Sequence, residues 1–288
     1  MNKKSINKNY FLKELIIISF LSRLFGAYFF GDSSFEEAFT EWGVLVYSLI
    51  DYRIYSFYHF EELFIPSVYM PPVYPFALYL ISFISFDKTN FVNLIIFFQV
   101  IISTYSVYIF YQINLNLFKK KISTINAFIF SLFPINLFVV GQISSIVLQI
   151  FLSLLFLKYL LLLIKKKAQI NIIFFSIVSG LLILTRGEFV LIYAIIIMFI
   201  MLNKKVNKIN ILRIILITSV IISPYVIRNY VHFSEIIITK SLGYNLWKGN
   251  NEYSTVQGNG DYELNELNEL KDRVKSIEKD KYYEITRD

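Results

Sequence analysis

Long apolar runs separated by short lysine clusters lay out this chain. Runs of membrane-crossing length, about 17 to 25 residues, fall at 11–30, 91–117, 122–141, 143–164, 168–185, 187–203 and 209–227. A further run, Val73 to Phe86, makes a helix of only about 21 Å against a hydrocarbon core of about 30 Å. It is read as interfacial or re-entrant. The pattern therefore predicts an all-α polytopic membrane protein, a bundle of about seven transmembrane helices whose large first loop, 32–90, carries interfacial helices.

The lysines support that count. Lys3, Lys4 and Lys8, then Lys119 to Lys121, then Lys165 to Lys167, then Lys204, Lys205 and Lys208 all fall on one side of the membrane if the short run does not cross. Basic loops mark the cytoplasmic side. The expected location is the inner (plasma) membrane, multi-pass, with a cytoplasmic N-terminus and an extracytoplasmic C-terminus. The run from Phe11 lacks a small-residue cleavage site and is too long for a signal peptide, so it is a retained first span. On the outer face lie loop 32–90, the turn from Gly141 to Ser145, the turn from Thr185 to Glu188, and everything after Arg228.

Two regions follow: a transmembrane module over 1–228 and an extracytoplasmic segment over 229–288, read as the start of a truncated C-terminal region. In the first loop, Glu36 to Asp51 spaces Phe39, Trp42, Gly43, Val46, Leu49 and Ile50 at helical intervals, as a helix lying along the interface does. From Asp261, Leu264, Leu267, Leu270, Val274 and Ile277 alternate with charged residues as in a surface helix.

Composition narrows the classes. The 288 residues are 56% hydrophobic and include 29 Phe and 21 Tyr, more than one water-soluble core can hide. There is no cysteine, which excludes disulfides, thiolate metal sites and cysteine nucleophiles. The net charge of +7 resides in lysine clusters between apolar runs, so it reports topology and not nucleic-acid binding. No Gly-rich nucleotide loop, nucleophile elbow or zinc spacing occurs, and His59 and His232 stand too far apart to suggest a metal.

The chemistry concentrates in the first loop, which holds Asp32, Glu36, Glu37, Glu41, Asp51, Glu61 and Glu62. A carboxylate held at a membrane surface can act as general base or ligate a divalent metal; it can also be only the solvated face of a helix. Glu41 is favoured, because Trp42-Gly43 supplies an interfacial anchor and a close-packing position. Arg186 and Arg228 end apolar runs, where arginine needs a partner or an anion, and its fork suits phosphate. For Arg186 the alternative is an ion pair with Glu188 or a headgroup contact. Arg23, mid-run, is expected to be a buried structural partner. The loop from Gly243 to Asn251, rich in amides, aromatics and glycine, suits a sugar or a plain turn.

Together Glu41-Trp42-Gly43, Pro66-Ser67-Val68-Tyr69-Met70-Pro71-Pro72-Val73-Tyr74-Pro75, Thr185-Arg186, Ser223-Pro224-Tyr225-Val226-Ile227-Arg228-Asn229-Tyr230 and Gly243 to Asn251 resemble a bacterial GT-C fold membrane glycosyltransferase. The likeness is to the protein O-mannosyltransferase and aminoarabinose transferase kind, glycosyltransferase family 39-like. The resemblance implies a GT-C-like bundle that transfers a sugar from a polyprenyl-phosphate donor lipid to a glycan, lipid or protein acceptor outside the membrane. It implies Glu41 as catalytic base, with Glu37 and Asp32 next in line. Arg186, Arg228, Tyr74, Asn250 and Asn251 are its implied substrate and lipid-phosphate contacts. The resemblance makes no cofactor certain and leaves a divalent metal ion, held by these acids, as the candidate. The chain departs from the family at Gly141 to Ser145, where relatives carry an acid. The alternatives are a polysaccharide polymerase or ligase, and a transporter or flippase; the latter calls for mid-membrane ionisable residues and paired halves, and only Arg23 is plainly mid-span.

Overall fold

A computed structural model describes residues 3–31, 41–56, 58–60, 63–165, 168–203, 206–240, 246 and 250. The elements are helices α1 (Lys3–Phe30) and α2 (Glu41–Tyr52), strands β1 (Tyr58–Phe60) and β2 (Leu63–Ile65), and helices α3 (Val73–Ser82), α4 (Lys88–Leu117), α5 (Lys120–Leu132), α6 (Pro134–Phe138), α7 (Ile146–Lys165), α8 (Gln169–Ile183), α9 (Phe189–Leu202) and α10 (Lys208–Phe233). Apart from one small antiparallel hairpin, which pairs Tyr58 with Ile65 and Phe60 with Leu63, the described elements are helical.

Among the described residues, three helices are long and apolar enough to cross a membrane: α4, α7 and α10. The other four predicted runs fall short of that length or composition. The run 11–30 lies in α1, but Lys13, Glu14 and Arg23 interrupt its apolar stretch. The run 122–141 is cut at Pro134, which has no N–H to continue a helix and starts α6 instead. The runs 168–185 and 187–203 give helices of 15 and 14 residues, about 22 and 21 Å long. The run at Val73 yields a 10-residue helix, about 15 Å. Helix α2 begins at Glu41; Glu36 to Thr40 lie outside the described residues, as does the helix expected after Asp261.

The chain divides into two compact units, Met1–Ser67 with Pro71–Pro224, and Val68–Met70 with Tyr225–Asp288. In the first, α4 is the central post and packs against α1, α3, α5 and α7. One apolar core joins α7 to α10 through Phe156, Leu163, Phe175, Leu182, Ile200 and Ile214. Small residues let α8 and α10 approach: a Cβ on Gly180 would sit 2.6 Å from Ile221 Cγ2, and Thr218 Oγ1 donates to Ser176 O at 3.2 Å.

A polar knot ties α1, α4 and α5. Arg23 is 0% exposed; its Nε donates to Ser103 Oγ at 2.7 Å and its Nη1 to Ser19 O at 3.2 Å and Ser131 O at 3.0 Å. Ser19 and Ser131 hydroxyls meet at 2.8 Å. The break at Pro134 explains why an arginine is needed. It strips the last carbonyls of α5 of their helical donors; Asn136 Nδ2 reaches back to Phe130 O at 3.1 Å, and Arg23 supplies Ser131 O. The sequence-based reading of Arg23 as a buried structural partner matches this geometry. Next to the knot, a Cβ on Gly26 would collide with the Leu137 carbonyl of α6, and one on Gly141 would lie 2.7 Å from Phe30 O.

Arg23→Ala opens a cavity and orphans the Ser131 carbonyl, and should destabilise the protein by about 3 kcal/mol. Ser103→Ala, which strands only one guanidinium N–H, should cost about 2 kcal/mol. Denaturant unfolding in mixed micelles measures both; an Arg23→Ala midpoint equal to wild type would show that the guanidinium does not hold the break.

Candidate functional site

Helix α2 buries Trp42, Leu45, Val46 and Leu49, the i, i+3, i+4, i+7 stripe of a helix seated on one face, and it packs on α3. Two prolines, lacking N–H groups, stop regular structure before α3. Pro75 is tolerated as the third helical residue because its N–H would have had no partner there. The first donor of α3, Val73 N–H, bonds Leu184 O at 3.1 Å. That bond sets the start of α3 against the α8–α9 turn. Ser67 N–H donates to Tyr55 O at 2.9 Å, and Tyr55 Oη to Pro71 O at 3.3 Å, which fixes the approach to the prolines.

Tyr74 is 3% exposed. Its hydroxyl donates to Gln99 Oε1 at 3.0 Å, and the Trp42 ring meets its ring edge-on with centroids 4.9 Å apart. Gln99 Nε2 in turn donates to Val140 O at 3.1 Å and Gln142 O at 2.9 Å, and Gln142 Nε2 to Phe30 O at 2.6 Å. Tyr74, expected to touch substrate, is instead a buried post that joins α2, α3 and α4. An apolar groove without charged lining runs beside it between α3, α4 and α7, past Leu78, Ile95 and Val147.

Arg186 follows Leu184 by two residues, in the α8–α9 turn. Its Nε is buried and has no hydrogen-bond partner among the described residues. The anticipated pair with Glu188 is absent: among the described residues the only ion pair joins Lys240 to Glu235, at 3.0 Å. Glu188 is exposed, and the turn is held by backbone bonds, Arg186 N–H to Leu182 O at 3.0 Å and Phe189 N–H to Arg186 O at 3.1 Å.

Three candidates are thus linked through a chain of neighbours in the first unit. Glu41 opens α2 next to Trp42, Trp42 lies on Tyr74, Tyr74 follows Val73, and Val73 bonds the residue two before Arg186. The backbone of Glu41 is placed; its side chain lies outside the described residues, as do Asp32, Glu37 and Asn251. Among the described residues no three acids or imidazoles converge.

The second unit holds Arg228 and Asn250. Arg228 Nη1 donates to Asn229 Oδ1 at 2.8 Å, and its guanidinium carbon lies 5.9 Å from the Tyr225 ring and 5.6 Å from the Phe233 ring, a cation–π setting. Asn229, 0% exposed, donates to Ile237 O at 2.8 Å. Three successive carbonyls of the proline-aromatic run are taken up here. Lys240 N–H reaches Val68 O at 3.2 Å, Thr239 Oγ1 reaches Tyr69 O at 2.6 Å, and Tyr225 Oη reaches Met70 O at 3.1 Å. Asn250 is exposed and donates to Leu246 O at 2.7 Å; the rest of the Gly243 to Asn251 loop, Leu246 apart, lies outside the described residues.

Sequence reasoning missed Gln99. The signal was present, since a side-chain amide within a hydrocarbon-length run must find its partners inside the protein. No protein-family model and no curated protein matches the chain.

Gln99→Leu removes the acceptor of Tyr74 and the donor of two buried carbonyls, and should cost about 3 kcal/mol of unfolding free energy. Tyr74→Phe removes a single bond and should cost about 1 kcal/mol. The reverse order in chemical denaturation would mean that Gln99 is not the hub.

Proposed function

We propose that this chain is a membrane glycosyltransferase of the GT-C kind that moves a sugar from a polyprenyl-phosphate donor to a cell-envelope acceptor on the extracytoplasmic face. In this reading α1, the α5–α6 pair, α8 and α9 complete seven crossings with the three long helices, tilting or thinning the bilayer where they are short. The N-terminus and the lysine clusters are cytoplasmic, and the α8–α9 turn, the start of α3 and the C-terminus face outward.

One observation carries the proposal. The Val73 N–H to Leu184 O bond sets the proline-tyrosine run, with the helix that Glu41 begins packed on it, against the turn of Arg186, whose Nε is buried without a partner. A guanidinium whose buried Nε has no partner among the described residues favours an oxyanion, and its fork matches phosphate. Glu41 then takes the proton of an acceptor hydroxyl or amine as that atom bonds the anomeric carbon. The bond from that carbon to the phosphate oxygen breaks, and polyprenyl phosphate leaves with its added charge facing Arg186. Glu37 and Asp32 are the next choices for the base. Asn250 and Asn251 remain the sugar contacts that the resemblance implies.

The transporter alternative has less behind it, because Arg23 is committed to three oxygens of the bundle and is not aimed into a pathway.

Radiolabelled sugar transfer from polyprenyl-phosphate lipids to membrane acceptors tests the proposal. Wild type should transfer; Glu41→Gln should lose a factor of about 10² to 10⁴, the usual contribution of a general base. Arg186→Gln should weaken donor use, with partial recovery in Arg186→Lys. Wild-type membranes that transfer nothing from such donors would sink the reaction class. Full activity in Glu41→Gln would move the base to Glu37 or Asp32.

A further inference from the structure

Helices α4 and α7 run in parallel. Gln99 of α4 meets the turn just before α7, the Tyr105 and Phe151 rings lie 6.1 Å apart, and Lys165 Nζ donates to Asn116 O at 2.9 Å near the two C-terminal ends. This register places Lys158 of α7 at about the level of Gln112 of α4.

Lys158 is an anomaly within a membrane-crossing helix. It stands seven residues before Lys165, about 10 Å inside the helix end. It is half-buried, and the only group described against its ammonium is the Tyr159 ring, at 5.9 Å. No acid and no hydrogen-bond acceptor among the described residues meets it. A cation at that depth is costly unless it snorkels to an anion.

The surface beside it is built for an amphiphile. On α4, Tyr105, Tyr108 and Gln112 form an i, i+3, i+7 stripe; Tyr105 is 49% exposed, and the Tyr105 and Tyr108 rings stack at 5.5 Å. Gln112 donates to Tyr108 Oη, which puts a polar pair near the level of Lys158. Toward the bilayer centre the stripe becomes aromatic, with Tyr105 against Phe151.

We infer that the α4–α7 seam near Lys165 binds a phospholipid with an anionic headgroup, its phosphate on Lys158 and its acyl chain along Tyr105 and Phe151. Anionic lipids are preferred because a zwitterionic headgroup brings its own cation to the phosphate and leaves less charge for the lysine. The inference does not rest on the proposed transferase activity, whose site lies at the opposite ends of α4 and α7.

Native mass spectrometry of the full chain, released from micelles doped equally with phosphatidylglycerol and phosphatidylcholine, reads the preference directly. Wild type should retain phosphatidylglycerol over phosphatidylcholine. Lys158→Leu should lose about fivefold of that excess, the contribution of one lysine near an anionic surface. Lys158→Arg should keep it, and Lys208→Ala, which removes a charge elsewhere, should leave it unchanged. Equal retention of the two lipids by wild type overturns the inference even if the variants do not fold, as does an undiminished preference in folded Lys158→Leu. A preference lost equally in Lys208→Ala also overturns it, in favour of diffuse attraction to the basic loops.

Discussion

A guanidinium that no water reaches holds the first half of this bundle together. Arg23 sits at 0% exposure with no acid beside it, and its partners are a serine hydroxyl and two backbone carbonyls. Such a charge is expensive, and it persists because the chain has a matching defect. Pro134 ends α5 inside the protein and leaves carbonyls that must be satisfied where water cannot help. The cation and the broken helix answer each other. Either alone would destabilise the fold.

The consequences run outward from that knot. With α5 ended, α6 lies flush against Gly26 and the following turn closes on Phe30 through Gly141. The same turn offers the carbonyls of Val140 and Gln142 to Gln99, and Gln99 fixes Tyr74. Tyr74 then seats α2 through Trp42. The position at which Glu41 enters its helix is thus connected, through backbone and side-chain bonds within one unit, to a buried arginine in the first helix.

Arg186 contrasts with Arg23. Both are arginines near apolar runs, and among the described residues each keeps one buried nitrogen without a partner, Nη2 of Arg23 and Nε of Arg186; Arg23 gives its other donors to three protein oxygens, whereas Arg186 makes no pair with nearby Glu188. This difference separates a structural cation from a candidate binding cation, and it underlies the reading of the α8–α9 turn as a phosphate contact. Lys158 belongs with Arg186 in this respect, at the other end of the bundle.

Local rules settled the parts whose cause is local. Three apolar runs of hydrocarbon length became α4, α7 and α10, even with Lys158 in α7 and Pro224 in α10, and the proline cluster at 71–75 ended one segment and began α3. Elsewhere, counting hydrophobic residues overstated the helices: Pro134 split 122–141, Lys13, Glu14 and Arg23 interrupted 11–30, and 168–185 and 187–203 gave helices of only 15 and 14 residues. Pro134 was in plain view, but what makes its break tolerable, a cation more than a hundred residues away, was not. Tertiary structure alone decided that Arg23 would cap α5, that Gln99 would hold Tyr74, and that Arg186 would bypass Glu188. The physical reason is the same in each case. Periodicity and breakers act over a few residues, whereas a buried polar group is satisfied by whichever atoms the packed helices bring within about 3 Å, and those lie far away in sequence.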